Sequence, residues 1–195
     1  MVRVPFLDPS DLEPQHVALL DRPINLLRVL AHEPDGAMRF LDFGNWIRWE
    51  SPLDPRLREL VILLVGYIEN DEYEWSHHVV LARQFGVSDA DIRALKSFAD
   101  GSPHGFTDSE RAALEATRQL TTGRTLRDQT WADLVELLGQ REAVNVVMIS
   151  AFYAMVVRVL GGLEIDVEDS YLPALLEHPL RVANDESHSG DADGR

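Results

Sequence analysis

The chain has 195 residues, 45% of them hydrophobic, no cysteine, and 33 acidic against 18 basic side chains, for a formal charge of -15. That is enough apolar material for one core without disulfides, while the acidity excludes binding along a polyanion such as DNA, and the missing thiol excludes a disulfide framework and thiol peroxidase chemistry. Met1 to Pro9 lacks the apolar stretch of a secretory leader and no run approaches the roughly 18 apolar residues of a membrane helix, so a cytoplasmic protein with no membrane partner is expected.

Nearly every long segment carries helical periodicity, and alternating β-branched runs are missing, so the fold class is all-α. The first helices are predicted over Asp11 to Leu20, Ile24 to His32 and Gly36 to Glu50, separated by Asp-Arg-Pro and Glu-Pro-Asp-Gly. Pro55 stands where a first-turn proline belongs, after Asp54 as N-cap, and opens a run that is apolar nearly all round from Leu60 to Ile68; this helix should be central. The next spans Glu72 to Phe85 and stops at Gly86, and Ser88 caps one over Asp89 to Phe98. Thr107 with Glu110 makes a capping-box pattern before a helix reaching about Thr122, closed by Gly123. Thr130 to Leu138 is a short helix. Gln140 to Leu160 is the last long one, with a stripe of Val144, Val147, Met148, Ala151, Phe152, Met155 and Val159 broad enough to meet another subunit as well as its own core. The organisation expected is a helical preface over 1–50, a main helical domain over 51–165 and an extension over 166–195, disordered from about Asn184.

The chemistry concentrates in Tyr67 to Val79, where four carboxylates and two imidazoles follow directly on the central apolar run. Residues three, four and seven apart share a helix face, so Asp71, Glu74 and His78 align, with His77 one residue round. An antiparallel pairing of the two helices across Asn70 would carry Glu59 towards His78. A carboxylate bonded to one imidazole nitrogen fixes the tautomer and raises the basicity of the other, and burial beside Tyr73 and Trp75 would let Glu74 hold a proton near neutrality. That set can shuttle protons.

Plainer readings stand beside it. Asp71 and Glu74 also suit a helix N-terminus and His78 a satisfied core histidine. A metal is a third reading, but no His-x3-His or His-Glu-x-x-His spacing occurs, so no metal ligand is assigned. His16, His32, His104 and His178 read as solvated or capping groups; Trp46, Trp49, Phe152 and Tyr153 as core or interface; and Arg56 and Arg58 as surface ion pairs before they read as a grip on a substrate carboxylate.

The stretches Asp54-Pro-Arg-Leu-Arg-Glu-Leu-Val-Ile-Leu, Glu72-Tyr-Glu-Trp-Ser-His-His-Val and Ala82-Arg-Gln-Phe-Gly-Val-Ser-Asp-Ala-Asp-Ile resemble the carboxymuconolactone decarboxylase family, which includes the AhpD-like alkylhydroperoxidases. The close match covers about 54–95, and Asn145 to Leu163 is similar to the family's closing helix. The resemblance implies an AhpD-like helical bundle that assembles as a trimer or hexamer, with its site near a subunit boundary. It also implies that Glu59 and His78 occupy the positions of the redox branch's glutamate and histidine, while Asp71 and Glu74 stand at its two cysteine positions. Without thiols the hydroperoxidase activity should be absent.

The implied activity is then that of the decarboxylase branch, which works without a cofactor: a lyase or isomerase acting on a small carboxylic acid, lactone or enolisable ketone. Glu59, Glu74 and His78 would be catalytic, and Asp71, Tyr73, Trp75 and His77 would shape the pocket. The alternative is a non-catalytic oligomer that binds a small acid or a partner protein and keeps the charged cluster for assembly. A cluster opening on a pocket favours the enzyme; one sealed by mutual ion pairs favours the scaffold.

Overall fold

The computed structural model describes residues 1–181. The disorder expected from about Asn184 lies outside them. The N-terminal stretch forms two 3-10 segments, Pro9–Asp11 and Pro14–Leu20, where one helix over Asp11 to Leu20 was expected. Pro14 is the reason: it has no N–H to give and its ring blocks a helix from running through it. Then come α1 (Asn25–Leu30) and α2 (Pro34–Trp49), the latter started by Pro34 at its first position.

Helix α3 (Pro55–Ile68) begins as read, with the Asp54 carboxylate accepting the Leu57 N–H at 2.9 Å. Every residue from Leu57 to Tyr67 is buried, Arg58 and Glu59 included. Helices α4 (Glu72–Gln84), α5 (Asp89–Ala99) and α6 (Asp108–Thr122) follow, and α5 and α6 carry the capping boxes of Ser88 with Asp91 and Thr107 with Glu110. Gly86 takes the left-handed conformation, φ +88°, that ends α4's turn. Then α7 (Asp128–Leu138) and α8 (Gln140–Leu163) pack on α6, and a last short helix, α9 (Leu172–Glu177), lies against α4. Among the described residues there is no β-strand.

α3 is the axle. It packs against α4, α5, α6 and α8 and divides two cores between its sides. Val61, Ile62 and Val65 join Ile47, Leu134, Val146 and Ile149 on one side, and Leu60, Leu63 and Leu64 join Trp75, Ile92, Leu95 and Leu114 on the other. Each of these leucines is worth roughly 1.5–3 kcal/mol of burial, which is what a single truncation at Leu63 would begin to remove. A third, smaller cluster of Leu19, Leu20, Leu27, Ala31 and Ala37 holds the first helices together.

Helix α8 corrects the expectation about apolar runs: its 24 residues are long and apolar enough, by length and composition, to cross a membrane. Asn145 and Ser150 break the strict run and hide it from a residue-by-residue count, but both are buried and bonded within the protein. One side of α8, including Val146, Ile149 and Val156, is built into the core, so it is a core helix. Its opposite side leaves Val144, Met148 and Met155 exposed.

Candidate functional site

The site is made where α3 and α4 run past each other in opposite directions. Asn70 turns the chain in the left-handed region, φ +54°, and Asp71 caps α4 by accepting the Glu74 N–H at 2.8 Å. Gly66 lets the helices close: a Cβ there would lie 3.3 Å from the Trp75 nitrogen and 3.4 Å from the Glu74 Cγ. In this register Glu59 Oε2 sits 2.9 Å from His78 Nδ1, and both side chains are buried. The other Glu59 oxygen accepts from Arg58 Nη2 and Nε at 3.1 and 3.2 Å.

On the far side of the imidazole, Glu74 Oε1 lies 3.1 Å from His78 Nε2, one turn earlier on α4. The contact is off the line of an Nε2–H bond, so that buried oxygen has no aligned donor. The assignment that fits the buried charges is Glu59 ionised, His78 neutral with its proton on Nδ1 donated to Glu59, and Glu74 protonated beside the free Nε2, close to it but not bonded in line with its lone pair.

The electrostatics agree. Burial alone would raise the Glu59 carboxyl, but the His78 hydrogen bond and charge and the Arg58 guanidinium outweigh it and the net shift is downward. Burial lowers His78, and Glu59 opposes this only in part. Burial pushes Glu74 well above the ordinary carboxylate range, with the charges of Asp71 and Glu59 adding to it and only Arg48 opposing. Tyr153, edge-on to the His78 ring at 5.1 Å, is raised by burial and stays a neutral hydroxyl.

This group opens on a cavity of about 610 Å³ lined by His78, Glu74, His77 and Tyr73 of α4, Tyr153 and Phe152 of α8, and the face of α2 that carries Phe40, Gly44 and Arg48. Residues 18–27, Tyr171 and the end of α4 with Val80, Leu81 and Gln84 supply most of the remaining wall, with Arg22 at the rim. The cavity therefore lies between the N-terminal helices and the bundle. A second group sits beside it: His77 is stacked between Tyr73 (4.1 Å) and Tyr171 (3.6 Å), and its Nε2 meets Glu168 Oε2 at 2.7 Å. Glu168 also accepts the Tyr73 O–H at 3.0 Å and the Asn25 N–H. Burial would raise its carboxyl, yet His77 and the Asn25 N–H bring it down to about 2.

The structure brings Glu59, Glu74 and His78 together and places Tyr73 and His77 on the cavity, while Asp71 and Trp75, expected to shape the pocket, lie elsewhere. Glu59 lies behind His78 and does not line the cavity, so a ligand meets the imidazole and not its partner. Asp71 does not shape the pocket, because its carboxylate is turned into the N-cap of α4. Trp75 faces the opposite core, fully buried, with its indole N–H donated to the His178 carbonyl at 2.7 Å.

His178 is accordingly buried rather than solvated, with its ring 3.2 Å from Asp89. Arg58 is no surface residue: it is buried under Phe85 and holds Glu59. Arg56 pairs with Asp91 and Glu110, away from the cavity. Among the described residues no three His, Asp or Glu side chains are arranged to hold a metal ion.

Arg22, Arg48, Glu168 and Tyr171 were not singled out from sequence. Only Arg48 left a trace there, as the end of the α2 row Leu41, Gly44, Arg48 that lines one wall.

Residues 34–119, α2 through most of α6, match the carboxymuconolactone decarboxylase family. No curated protein matches the chain. Among solved structures it is similar to an alkylhydroperoxidase AhpD core, an uncharacterised peroxidase-related protein from Ralstonia eutropha, at 16% identity and a TM-score of 0.73 over 92% of this chain and 98% of that one. The debrominase Bmp8 in complex with 2,3,4-tribromopyrrole matches at 19% identity and a TM-score of 0.73, over 91% of this chain and 97% of that one. A putative antioxidant defence protein AhpD from Agrobacterium tumefaciens matches at 20% identity and a TM-score of 0.64, over 72% and 95%. At such identities the likeness establishes the fold, an AhpD-like helical bundle. The decarboxylase-family segment carries every residue of the Glu59, His78 and Glu74 group, and α8 and the first helices complete the cavity around it.

Proposed function

We propose that this protein is a cofactor-free acid/base enzyme of the carboxymuconolactone decarboxylase type, acting on a small carboxylic acid, lactone or enolisable ketone. His78 moves the proton, Glu59 orients it and balances its charge, and Glu74 is the second proton carrier. The observation that carries this reading is the line of three groups, Glu59 to His78 to Glu74, ending at a cavity of about 610 Å³. A cluster that opens on a cavity supports an enzyme over a scaffold whose charges only hold it together.

The chemistry follows from the protonation states. His78 Nε2 takes a proton from carbon beside a carbonyl, the electron pair moves to the oxygen, and the imidazolium is held by ionised Glu59. In a decarboxylation of a β,γ-unsaturated acid the bond to the carboxylate breaks, its electron pair enters the extended enolate, and Glu74 or protonated His78 supplies the proton to the far carbon. Glu74 stands at one of the positions the redox branch gives to cysteine, and a thiol-free chain forms no sulfenic acid or disulfide. The exposed Val144, Met148 and Met155 on α8 support assembly into a homo-oligomer, and the cytoplasm is the compartment we propose for it.

The test is exchange of carbon-bound protons for deuterium, followed by NMR on a panel of 2-oxo acids, 3-oxo acids and unsaturated lactone acids in D2O. Wild-type protein should speed exchange in at least one of them, and His78→Gln and Glu59→Gln variants that keep the native circular dichroism should lose it. No exchange above buffer, or exchange unaltered in His78→Gln, contradicts the reading.

A further inference from the structure

Two arginines on this cavity hold no carboxylate. Arg48, half-buried, projects from the last turn of α2, and Arg22 stands exposed at the rim after the second 3-10 segment. Elsewhere the guanidinium groups are mostly taken: Arg28 by Asp8, Arg56 by Asp91 and Glu110, Arg83 by Asp89 and Glu177, Arg158 by Glu69. Among the described residues Arg22 and Arg48 have neither an ion pair nor a side-chain hydrogen bond; Arg93, Arg124 and Arg141 share this state, but none of them lines the cavity.

The two line the same cavity, and although the Arg22 side chain reaches solvent at the rim, its partial burial and then the charge of Arg48 lower its guanidinium. Arg48 lines the cavity together with Glu74, His77 and His78, and its charge acts on all three. The acids on the cavity lining are Asp21, exposed at the rim, and Glu74, which burial keeps protonated. The cavity therefore presents positive charge in a protein that is negative overall. A guanidinium with no protein counter-ion offers its planar N–H donors to a ligand, and a carboxylate matches that geometry with two oxygens.

We propose that Arg22 and Arg48 form the carboxylate-binding subsite of this cavity, selecting small acids with a ring-sized apolar body that packs on Phe40, Phe152 and Tyr153. The acid group is held at the arginines, and the carbon beyond it faces His78. The role given to that carbon rests on the acid/base reading above. The binding itself does not, which keeps the two separable.

Benzoate and its neutral isostere benzamide are suitable probes, titrated into the full-length protein by calorimetry or ligand-observed NMR. Benzoate should bind about tenfold or more tightly than benzamide, the size of one charge-assisted contact. Arg48→Gln should weaken benzoate by about tenfold, and the Arg22→Gln change, at an exposed site that cannot upset the core, by several-fold, with benzamide unmoved in both. Arg56→Gln, which removes a guanidinium paired with Asp91 and Glu110 away from the cavity, should bind benzoate as the wild type does. Equal affinity for the two probes, no binding of benzoate at millimolar concentration, or benzoate binding unchanged in the double arginine variant overturns the proposal. Arginine-dependent benzoate binding without any deuterium exchange would leave the subsite standing and remove the acid/base assignment.

Discussion

Glu59 and His78 are nineteen positions apart and meet at 2.9 Å inside the protein, an imidazole fixed by a carboxylate that is itself fixed by Arg58. The arrangement orders the groups from the core outward: guanidinium, carboxylate, imidazole, and then Glu74 at the cavity. Each member is buried, so each depends on the next for its charge state.

Breaking the innermost link should be costly. In Glu59→Gln the Arg58 guanidinium, only 2% exposed, loses its counter-charge, and the fold should lose about 3 kcal/mol of stability in urea unfolding, as expected for half of a buried ion pair. A double change of Arg58→Met with Glu59→Gln should recover a large part of the loss. If the double variant is no better than the single, Arg58 is not what burdens it.

Glu74 and His78 should shape stability in opposite pH windows. The Glu74 carboxyl is raised in the folded state, so above 4.5 the folded protein holds a proton that the unfolded chain has released, and stability falls as pH rises through that window by up to about 1.4 kcal/mol per pH unit. Glu74→Gln mimics the protonated form; its Tm should overtake that of the wild type as pH rises. His78 is lowered, so below 6.5 the unfolded chain takes up a proton before the folded one, and stability falls as pH drops. His78→Gln should flatten that limb. Parallel pH profiles for wild type and both variants would contradict both directions.

How much of this the residue pattern alone reveals depends on distance along the chain. Caps are local, so Asp54, Ser88 and Thr107 were readable where they stand. The meeting of Glu59 with His78 was readable because only a short turn joins α3 to α4. Asp71 was misread because the three-residue spacing that puts it on a face with Glu74 is also the spacing of an N-cap to the amide it bonds. Trp75 was misread because α4 is buried on several sides, so apolar character does not say which core a side chain joins. Arg22, Arg48 and Tyr171 reach the cavity through the packing of distant segments, which no local period reports. The six residues of α9, with Pro173 in its first turn, are too few to show one.

Trp75 gives a direct check on that correction. Trp75→Phe removes the indole N–H that holds the His178 carbonyl and should cost about 1–3 kcal/mol, loosening the segment around α9 to proteolysis. Ligand binding in the cavity should be unaffected. A lost cavity with an intact C-terminal segment would restore Trp75 to the pocket.

Glu168 fastens that same segment to His77, Tyr73 and Asn25. Its carboxyl is lowered to about 2, so the stabilisation is complete above 4.5 and is lost as pH falls towards that value. Glu168→Gln should lower Tm at neutral pH and show a shallower decline than wild type in acid. An unchanged acid limb would mean that Glu168 carries none of it.

The apolar side of α8 predicts the assembly. Val144, Met148 and Met155 are 47%, 37% and 43% exposed, at helical spacings of four and seven. The purified protein should sediment as a multiple of its 22.0 kDa chain, and Met148→Glu with Met155→Glu should bring it towards the single-chain mass. A wild-type monomer would leave this face unexplained.

The protonation state of His78 bears most directly on the account as a whole. Proton–nitrogen correlation NMR of histidine-labelled protein should find the His78 ring neutral at neutral pH, with its proton on Nδ1 and Nε2 free towards Glu74 and the cavity. An Nε2–H tautomer, or an imidazolium held at neutral pH, would contradict the relay.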